Sequence, residues 1–444
     1  MDNKSEIIAA IDIGTTKIVA LAGRKTENNR FEILGFGTTS SKGIKRGVVL
    51  NIDETVKSIR IALDKVYQSS GIRLNEVFVG IAGQHVRSTK SRSTIKVSSP
   101  DSIISQKDIK DLEDLMRQII SEAGEEVLDV IPQSYIVDKE TGIENPVGMY
   151  GNILQGNYHI ILGQMSMVNN IKKCVTISGL KVKTLILEPL ASSEAVLSDL
   201  EKKSGVVMMD IGGGTTDLAI YKDNKVIHTA VIPIGGNTIT NDIQQELGIL
   251  EKQAEELKIN FGSAIQEKSQ ESTIFSIEGL KGREEKEITL KDLSAIIQAR
   301  MEEILHTVMF QIESAGIKGN IPGGIVITGG GSLLKNLKQL ASFITNNDIR
   351  IAYPTEYIEG KFSGDINKPQ YSTAIGLIMK GYMYNSQKTE YSIFEKLNEE
   401  QKKEPEIIEE EKSKQHKEKE NHGNKKFFNI IKKSVNKLLE DEEE

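Results

Sequence analysis

Apolar and polar positions along this chain fall into two matching series. Apolar, β-branched runs at 6–12, 17–23 and 31–38 predict three strands joined by turns. Ile52, Val56, Ile59, Leu63 and Val66 then recur at helical spacing and predict an amphipathic helix over 53–69, with Asn51 and Asp53 as candidate caps. A short apolar run at 77–82 stops at Gly83. From residue 206 the same order returns, with strands at 206–210, 216–221 and 226–234 and a helix near 238–247. A strand at 324–328 then runs into Gly329, Gly330 and Gly331. Two further helices, 191–200 and 372–384, match one another. The pattern is an internal duplication of a mixed α/β unit that extends to about residue 385.

Two stretches interrupt the duplication, and both predict subdomains set onto the repeated core. Residues 85–165 predict a polar strand (86–98), a helix (104–123) and strands around 130–138 and 158–162. Residues from about 240 to 310 are mainly helical in pattern, with short strands near 273–278 and 286–290.

Beyond Tyr384 the texture changes. Seventeen of the 26 residues 395–420 are Glu or Lys, which predicts a disordered charged linker over 386–424. The chain turns apolar again at 425–440. Phe427, Ile431, Val435 and Leu438 share one helical face, widened by Phe428, Ile430 and Leu439. Lys432 and Lys433, with Lys425, Lys426 and Lys437, occupy the flanks and the opposite face. That arrangement predicts a membrane-surface helix, each lysine adding about 1 kcal/mol near an anionic leaflet. The acidic end, Glu440–Glu444, opposes it.

Composition narrows the partners. Of 444 residues 27% are charged and 38% hydrophobic, ordinary for a globular protein, and the net charge of −7 speaks against nucleic acid. The single Cys174 excludes an intramolecular disulfide. Six scattered histidines have no metal-ligand spacing. No apolar run approaches the ~18 residues of a membrane span, and the polar start MDNKSE does not resemble a signal peptide. The expected location is therefore the cytoplasm, with membrane contact made only through the tail.

The chemistry lies in two hairpins, IIAAIDIGTTKIVALAG and VVMMDIGGGTTDLAIY, which hold Asp12 and Asp210 in the same place. In each, a Gly/Thr turn leaves backbone N–H groups free to wrap phosphate oxygens, and glycine lets the backbone approach closely. Gly14, Thr15, Thr16 and Lys17 form one turn; Gly212, Gly213, Gly214, Thr215 and Thr216 form the other. Like charge keeps Asp12 and Asp210 off phosphate, so their natural role is to hold a hydrated Mg²⁺. Two unliganded glycine turns would explain one copy, but not two that match from the aspartate through Gly-Thr-Thr.

The paired hairpins, IVITGGGSL and the two small-residue helices resemble the actin-like ATPase superfamily. The resemblance implies a duplicated two-domain α/β fold of the actin-like, ribonuclease H type, with ATP and Mg²⁺ in the cleft. Asp12–Lys17 and Asp210–Asp217 then correspond to the phosphate loops, and Thr328–Ser332 (with Gly329, Gly330, Gly331 and Ser332) to the adenosine loop. Glu188 sits where heat-shock-type relatives place a water-positioning carboxylate, so Asp12, Asp210 and Glu188 are the catalytic candidates; an N-terminal helix-dipole role for Glu188 is the alternative.

Within the superfamily the chain resembles the bacterial cell-division FtsA family. Stretches carrying this include SKGIKRGVVLNIDETVKSI, VGIAGQHV, IPIGGNTITNDI, LKINFGSA and RMEEIL. The resemblance implies subdomain 1A at 1–84 and 166–200, 1C at 85–165, 2A at 201–236 and 310–385, and 2B at 237–309. It also places Gly235, Gly236, Glu255 and Lys258 beside the nucleotide. The implied partners are the FtsZ C-terminal peptide through 2B, further copies of the chain through 1C, anionic lipids through the tail, and later division proteins. The implied location is the cytoplasmic face of the membrane at the septum, with at most slow ATP hydrolysis. The alternatives are a pilus-assembly or ethanolamine-utilisation adaptor, or a sugar or acyl kinase of the same superfamily.

Overall fold

Both hairpins fold in one register. Ile8–Ile13 pairs antiparallel with Lys17–Lys25, from Ile8 opposite Gly23 to Ile13 opposite Ile18. Val206–Ile211 pairs with Thr216–Lys222 in the same way, from Val206 opposite Tyr221 to Ile211 opposite Thr216. Each aspartate lies one residue before its turn. The structure is a computed structural model that describes residues 6–119, 122–267, 272–277, 285–317, 321–354 and 357–386. The chain forms two units, Met1–Met383 and Tyr384–Glu444. The linker from 387 onward and the amphipathic segment 425–440 lie outside the described residues.

Each hairpin is the heart of a sheet. The first sheet has six strands in the order Lys181–Leu187, Glu76–Ile81, Ile8–Ile13, Lys17–Lys25, Phe31–Ser40 and Ile358–Glu359. The second has five, in the order Lys225–Ile232, Thr216–Lys222, Val206–Ile211, Ile325–Thr328 and Ile349–Ile351. Strands buried on both faces read as unbroken apolar runs. Val206 and Met208 accordingly join the core of the first half, while Val207, Met209 and Ile211 build the core of the second.

The helix Ile52–Ser70 follows its expected outline. Asn51 Oδ1 accepts the Glu54 amide at 3.1 Å, and the helix ends at Gly71, whose φ of 71° suits glycine. Asp53 lies inside the first turn, so Asn51 alone is the N-cap. The helix expected over 191–200 is in fact two, Glu188–Val196 and Asp199–Ser204. Ser198 and Glu201 close a capping box, Ser198 N–H donating to Glu201 Oε2 at 2.8 Å, and that local pairing starts a new helix.

The helix 372–386 contributes Ala374, Ile375, Leu377, Ile378 and Met379 to the first half's core. It crosses Glu188–Val196 at Gly376, where a β-carbon would stand 1.7 Å from the Ala191 carbonyl oxygen. Ile358–Glu359 likewise pairs with Phe31 and Glu32 of the first sheet. The last part of the segment that the resemblance assigned to 2A thus returns to the first half.

The first insertion has its own four-stranded antiparallel sheet, ordered Val86–Lys96, Ile153–Gln164, Glu125–Val137 and Glu140–Ile143, and its own core around Leu112, Leu154 and Tyr158. Its helix is Gln106–Arg117, shorter than the expected 104–123. The buried Asp108 carboxylate accepts from Ser98 N–H and Oγ and from Ser105 N–H and Oγ, at 2.6–3.0 Å. Burial alone would raise its pKa, but these bonds outweigh it and hold the carboxyl below its ordinary 3.8. Folding therefore gains from this charge above pH 3.8, and the gain is lost as pH falls through the lowered value. Asp108→Ala is expected to cost the insertion about 2 kcal/mol near neutrality. Hydrogen exchange over 86–164 reads this; unchanged protection in the variant would contradict it.

Candidate functional site

The two turns meet face to face. A β-carbon on Gly213 would stand 1.8 Å from Thr16 Oγ1, and one on Gly214 2.4 Å from Thr15 Oγ1. Only glycine permits this approach. The helix Gly236–Leu247 is pinned to the second turn, with Gly236 N–H donating to Gly212 O at 2.9 Å and Asn237 N–H to Gly213 O at 2.7 Å. These bonds occupy the carbonyls of the turn. Among the described residues the Gly213 and Gly214 amides donate no hydrogen bond, and they are the groups a phosphate requires.

The other expected residues arrange themselves around this contact. Lys258 Nζ donates to Gly236 O at 2.9 Å, to Thr240 Oγ1 at 2.7 Å and to Glu255 Oε2 at 2.6 Å, which ties Glu255 and Lys258 to the Gly235–Gly236 turn. Thr240 also donates to Glu255. On the opposite side Gly329 has φ 82°, and a β-carbon there would stand 2.2 Å from Asp210 Oδ1. Gly330–Leu333 follows as a 3-10 turn, with Ser332 Oγ donating to Gly329 O at 2.7 Å. Thr328 Oγ1 and Ser372 Oγ, 2.7 Å apart, tie this strand end to the helix 372–386.

Beneath the turns lies a cluster of acids. Asp12, Asp210 and Asp217 are buried and Glu188 is half-buried, packed against Gly80. Asp210 Oδ2 accepts from Ser192 Oγ at 2.7 Å and from Thr373 Oγ1 at 3.1 Å, one hydroxyl from each of the two connecting helices, Glu188–Val196 and 372–386. Burial, only partly offset by Lys17, pushes Asp12 up to about 6, and the Asp210 charge adds to the rise. Burial raises Asp210 against the pull of its two hydroxyl donors. Burial and neighbouring carboxylates hold Glu188 and Asp217 well above the ordinary range. Burial also lowers Lys17, whose ammonium lies 5.0 Å from the centre of the Tyr371 ring.

Burial thus holds these carboxyls toward their neutral form, and a cation beside them would favour the ionised form. Asp217 Oδ1 is buried without a hydrogen-bond partner, a second acceptor awaiting one. Among the described residues no three His, Cys, Asp or Glu side chains are placed to chelate a metal directly. Asp12 and Asp210 are the carboxylates that would hold a hydrated Mg²⁺, an ion that needs few protein ligands and keeps its waters. Sequence reasoning placed Asp217 at the end of the second phosphate loop without giving it a role, and missed Ser192, Thr373, Asn237 and Thr240 as members of the site. Asp217 carried a signal, because hairpin register sets it directly opposite Asp210.

A family model for the cell division protein FtsA matches residues 207–376, and a model for the SHS2 domain inserted in FtsA matches 83–162. The cell division protein FtsA of Pseudomonas aeruginosa is 36% identical over 381 residues, covering 86% of this chain and 90% of that protein. That of Bacillus subtilis is 34% identical, covering 85% and 83%. Among solved structures, a chain of the PilM–PilN type IV pilus biogenesis complex aligns with a TM-score of 0.62 at 14% identity. The alignment covers 84% of this chain and 98% of that one, a likeness of fold.

Proposed function

Since the chain belongs to the cell division protein FtsA family and has its actin-like α/β fold with an SHS2 insertion, we propose that it is an ATP-binding adaptor of bacterial division. It polymerises on the cytoplasmic face of the membrane, anchors FtsZ filaments through their C-terminal peptide at subdomain 2B, and recruits later division proteins at the septum. The observation that carries the nucleotide part is the meeting of two turns of identical register above a buried acid cluster.

In this reading the amides of Gly213 and Gly214 and the hydroxyls of Thr15 and Thr16 hold the phosphates; the Thr215 and Thr216 hydroxyls, expected to join them, instead donate to Asp217 Oδ2 at 3.1 Å and to Ile234 O at 2.8 Å, because hairpin register carries Thr216 into a buried strand. Gly235, Gly236, Lys258 and Gly329–Ser332 line the remainder of the nucleotide pocket. Bound Mg²⁺ supplies charge neutralisation at the phosphates. Glu188, its proton affinity raised by burial and nearby carboxylates, orients a water and accepts its proton. Asp210, held by a hydroxyl from each connecting helix, links the pocket to the angle between the two halves. Nucleotide binding therefore shifts the population of closed forms, and assembly follows the closed form.

The membrane part rests on the segment 425–440. A single such helix binds reversibly, and a filament presenting many of them binds far more firmly. Co-sedimentation with anionic liposomes, with Mg·ATP and an FtsZ C-terminal peptide present, tests the whole reading. Lipid binding with the peptide carried down is the expected result. Glu in place of both Phe427 and Ile431 should abolish sedimentation and leave ATP binding intact. Unchanged sedimentation of that variant would remove the anchor.

A further inference from the structure

The loop Lys42–Gly47 carries a charge that nothing above uses. Arg46 has φ 50°, left-handed backbone at a residue with a full side chain, between Gly43 at 79° and Gly47 at 74°. Such a conformation costs on the order of 1 kcal/mol and persists only where its surroundings fix it. Here they do. Gly47 N–H donates to Thr15 Oγ1 at 3.1 Å, and a β-carbon on Gly47 would stand 2.3 Å from the Ala82 carbonyl oxygen. The Cα of Arg46 lies 3.0 Å from the β-position of Gly214. The loop is thus wedged against Thr15 of one turn and Gly214 of the other.

The side chain stands free. Arg46 is exposed, and among the described residues its guanidinium makes no hydrogen bond or ion pair. Arg24, Arg87, Arg300 and Arg350 are each paired with a carboxylate. Meanwhile Asp12, Glu188, Asp210 and Asp217 are opposed in the cleft by Lys17, and a triphosphate with its Mg²⁺ would add net negative charge. A planar guanidinium at the junction of the two turns suits a phosphate with two or more free oxygens, which it can grip with parallel hydrogen bonds.

We propose that Arg46 binds the terminal phosphate of a nucleoside triphosphate and is the residue by which the cleft distinguishes tri- from diphosphate. This rests on the nucleotide reading above and assigns within it the group that senses the nucleotide state. The strained backbone sets the Arg46 Cα against both turns, so the guanidinium lies within reach of whatever they hold between them.

Equilibrium binding of Mg·ATP and Mg·ADP to the full chain tests the assignment, using Arg46→Ala, Arg46→Lys and Arg46→Gly. Glycine removes the guanidinium while relieving the left-handed strain, so any loss it causes is not a loss of folding. The Ala and Gly variants should bind ATP about tenfold more weakly and ADP within about twofold of the unaltered chain. Lysine should keep part of the ATP affinity. Unchanged ATP binding, or equal losses for ATP and ADP, would overturn the assignment. If the unaltered chain binds neither nucleotide, the nucleotide reading falls, and the role of Arg46 with it.

Discussion

Asp210→Ala should weaken Mg·ATP binding by about tenfold or more while leaving the ligand-free protein at least as stable as before. The two halves of this expectation have one cause. Asp210 is buried, and its raised pKa means the ionised form is penalised in the folded state. Removing it relieves Asp12, Asp217 and Glu188, which sit in the same field. The same removal deletes one of the two carboxylates proposed to hold Mg²⁺, and leaves the hydroxyls of Ser192 and Thr373 hydrogen-bonded to one another at 3.0 Å. Calorimetric titration and a thermal scan separate the effects. Retained affinity would mean that the phosphate clamp is misassigned; a large fall in melting temperature would mean that Asp210 is structural.

Gly376→Val acts on the fold itself and should cost about 3 kcal/mol. A β-carbon at residue 376 would stand 1.7 Å from the Ala191 carbonyl oxygen and 2.2 Å from its carbon. The obstacle is backbone on both sides, so no side-chain rotamer relieves it, and Ala191→Gly should not rescue the variant. The helices must separate, and the separation opens the core at Ala374, Ile375 and Ile378. Urea denaturation followed by circular dichroism measures the loss. A midpoint like that of the unaltered chain would show that the two helices have room to shift.

Much of this architecture can be read from the sequence, for reasons that differ by element. The hairpins are legible because strands buried on both faces are largely apolar, and because the second turn carries Gly213 and Gly214 where it meets Thr16 and Thr15 of the first. The 86–98 strand and the division between core and insertion follow from the change of texture at Gly83. The break at Leu197 was legible too: Ser198 and Glu201 stand at capping-box spacing, but the small residues of LEPLASSEA masked it. Ile358–Glu359 was not legible, since two residues have no period, and their pairing is decided by the distant Phe31 and Glu32. The helix Met165–Ile177 and the edge strand Lys181–Leu187 were missed because each keeps a half-exposed, mixed face. In the site, single residues that converge from separate elements, such as Ser192 and Thr373, leave no local pattern. They become members only when Asp210 draws them together.

The return of the helix 372–386 to the first half's core bears on how the molecule is made. The core that begins with Ile8, Ala10 and Ile11 is finished by Ala374, Leu377, Ile378 and Met379. While synthesis runs from the amino terminus, the earliest strands must wait, partly uncovered, for residues that emerge nearly last. The insertion carries its own core between residues 97 and 162 and has no such dependence. Residues 97–162 can therefore pack together on the ribosome before anything beyond them has been made.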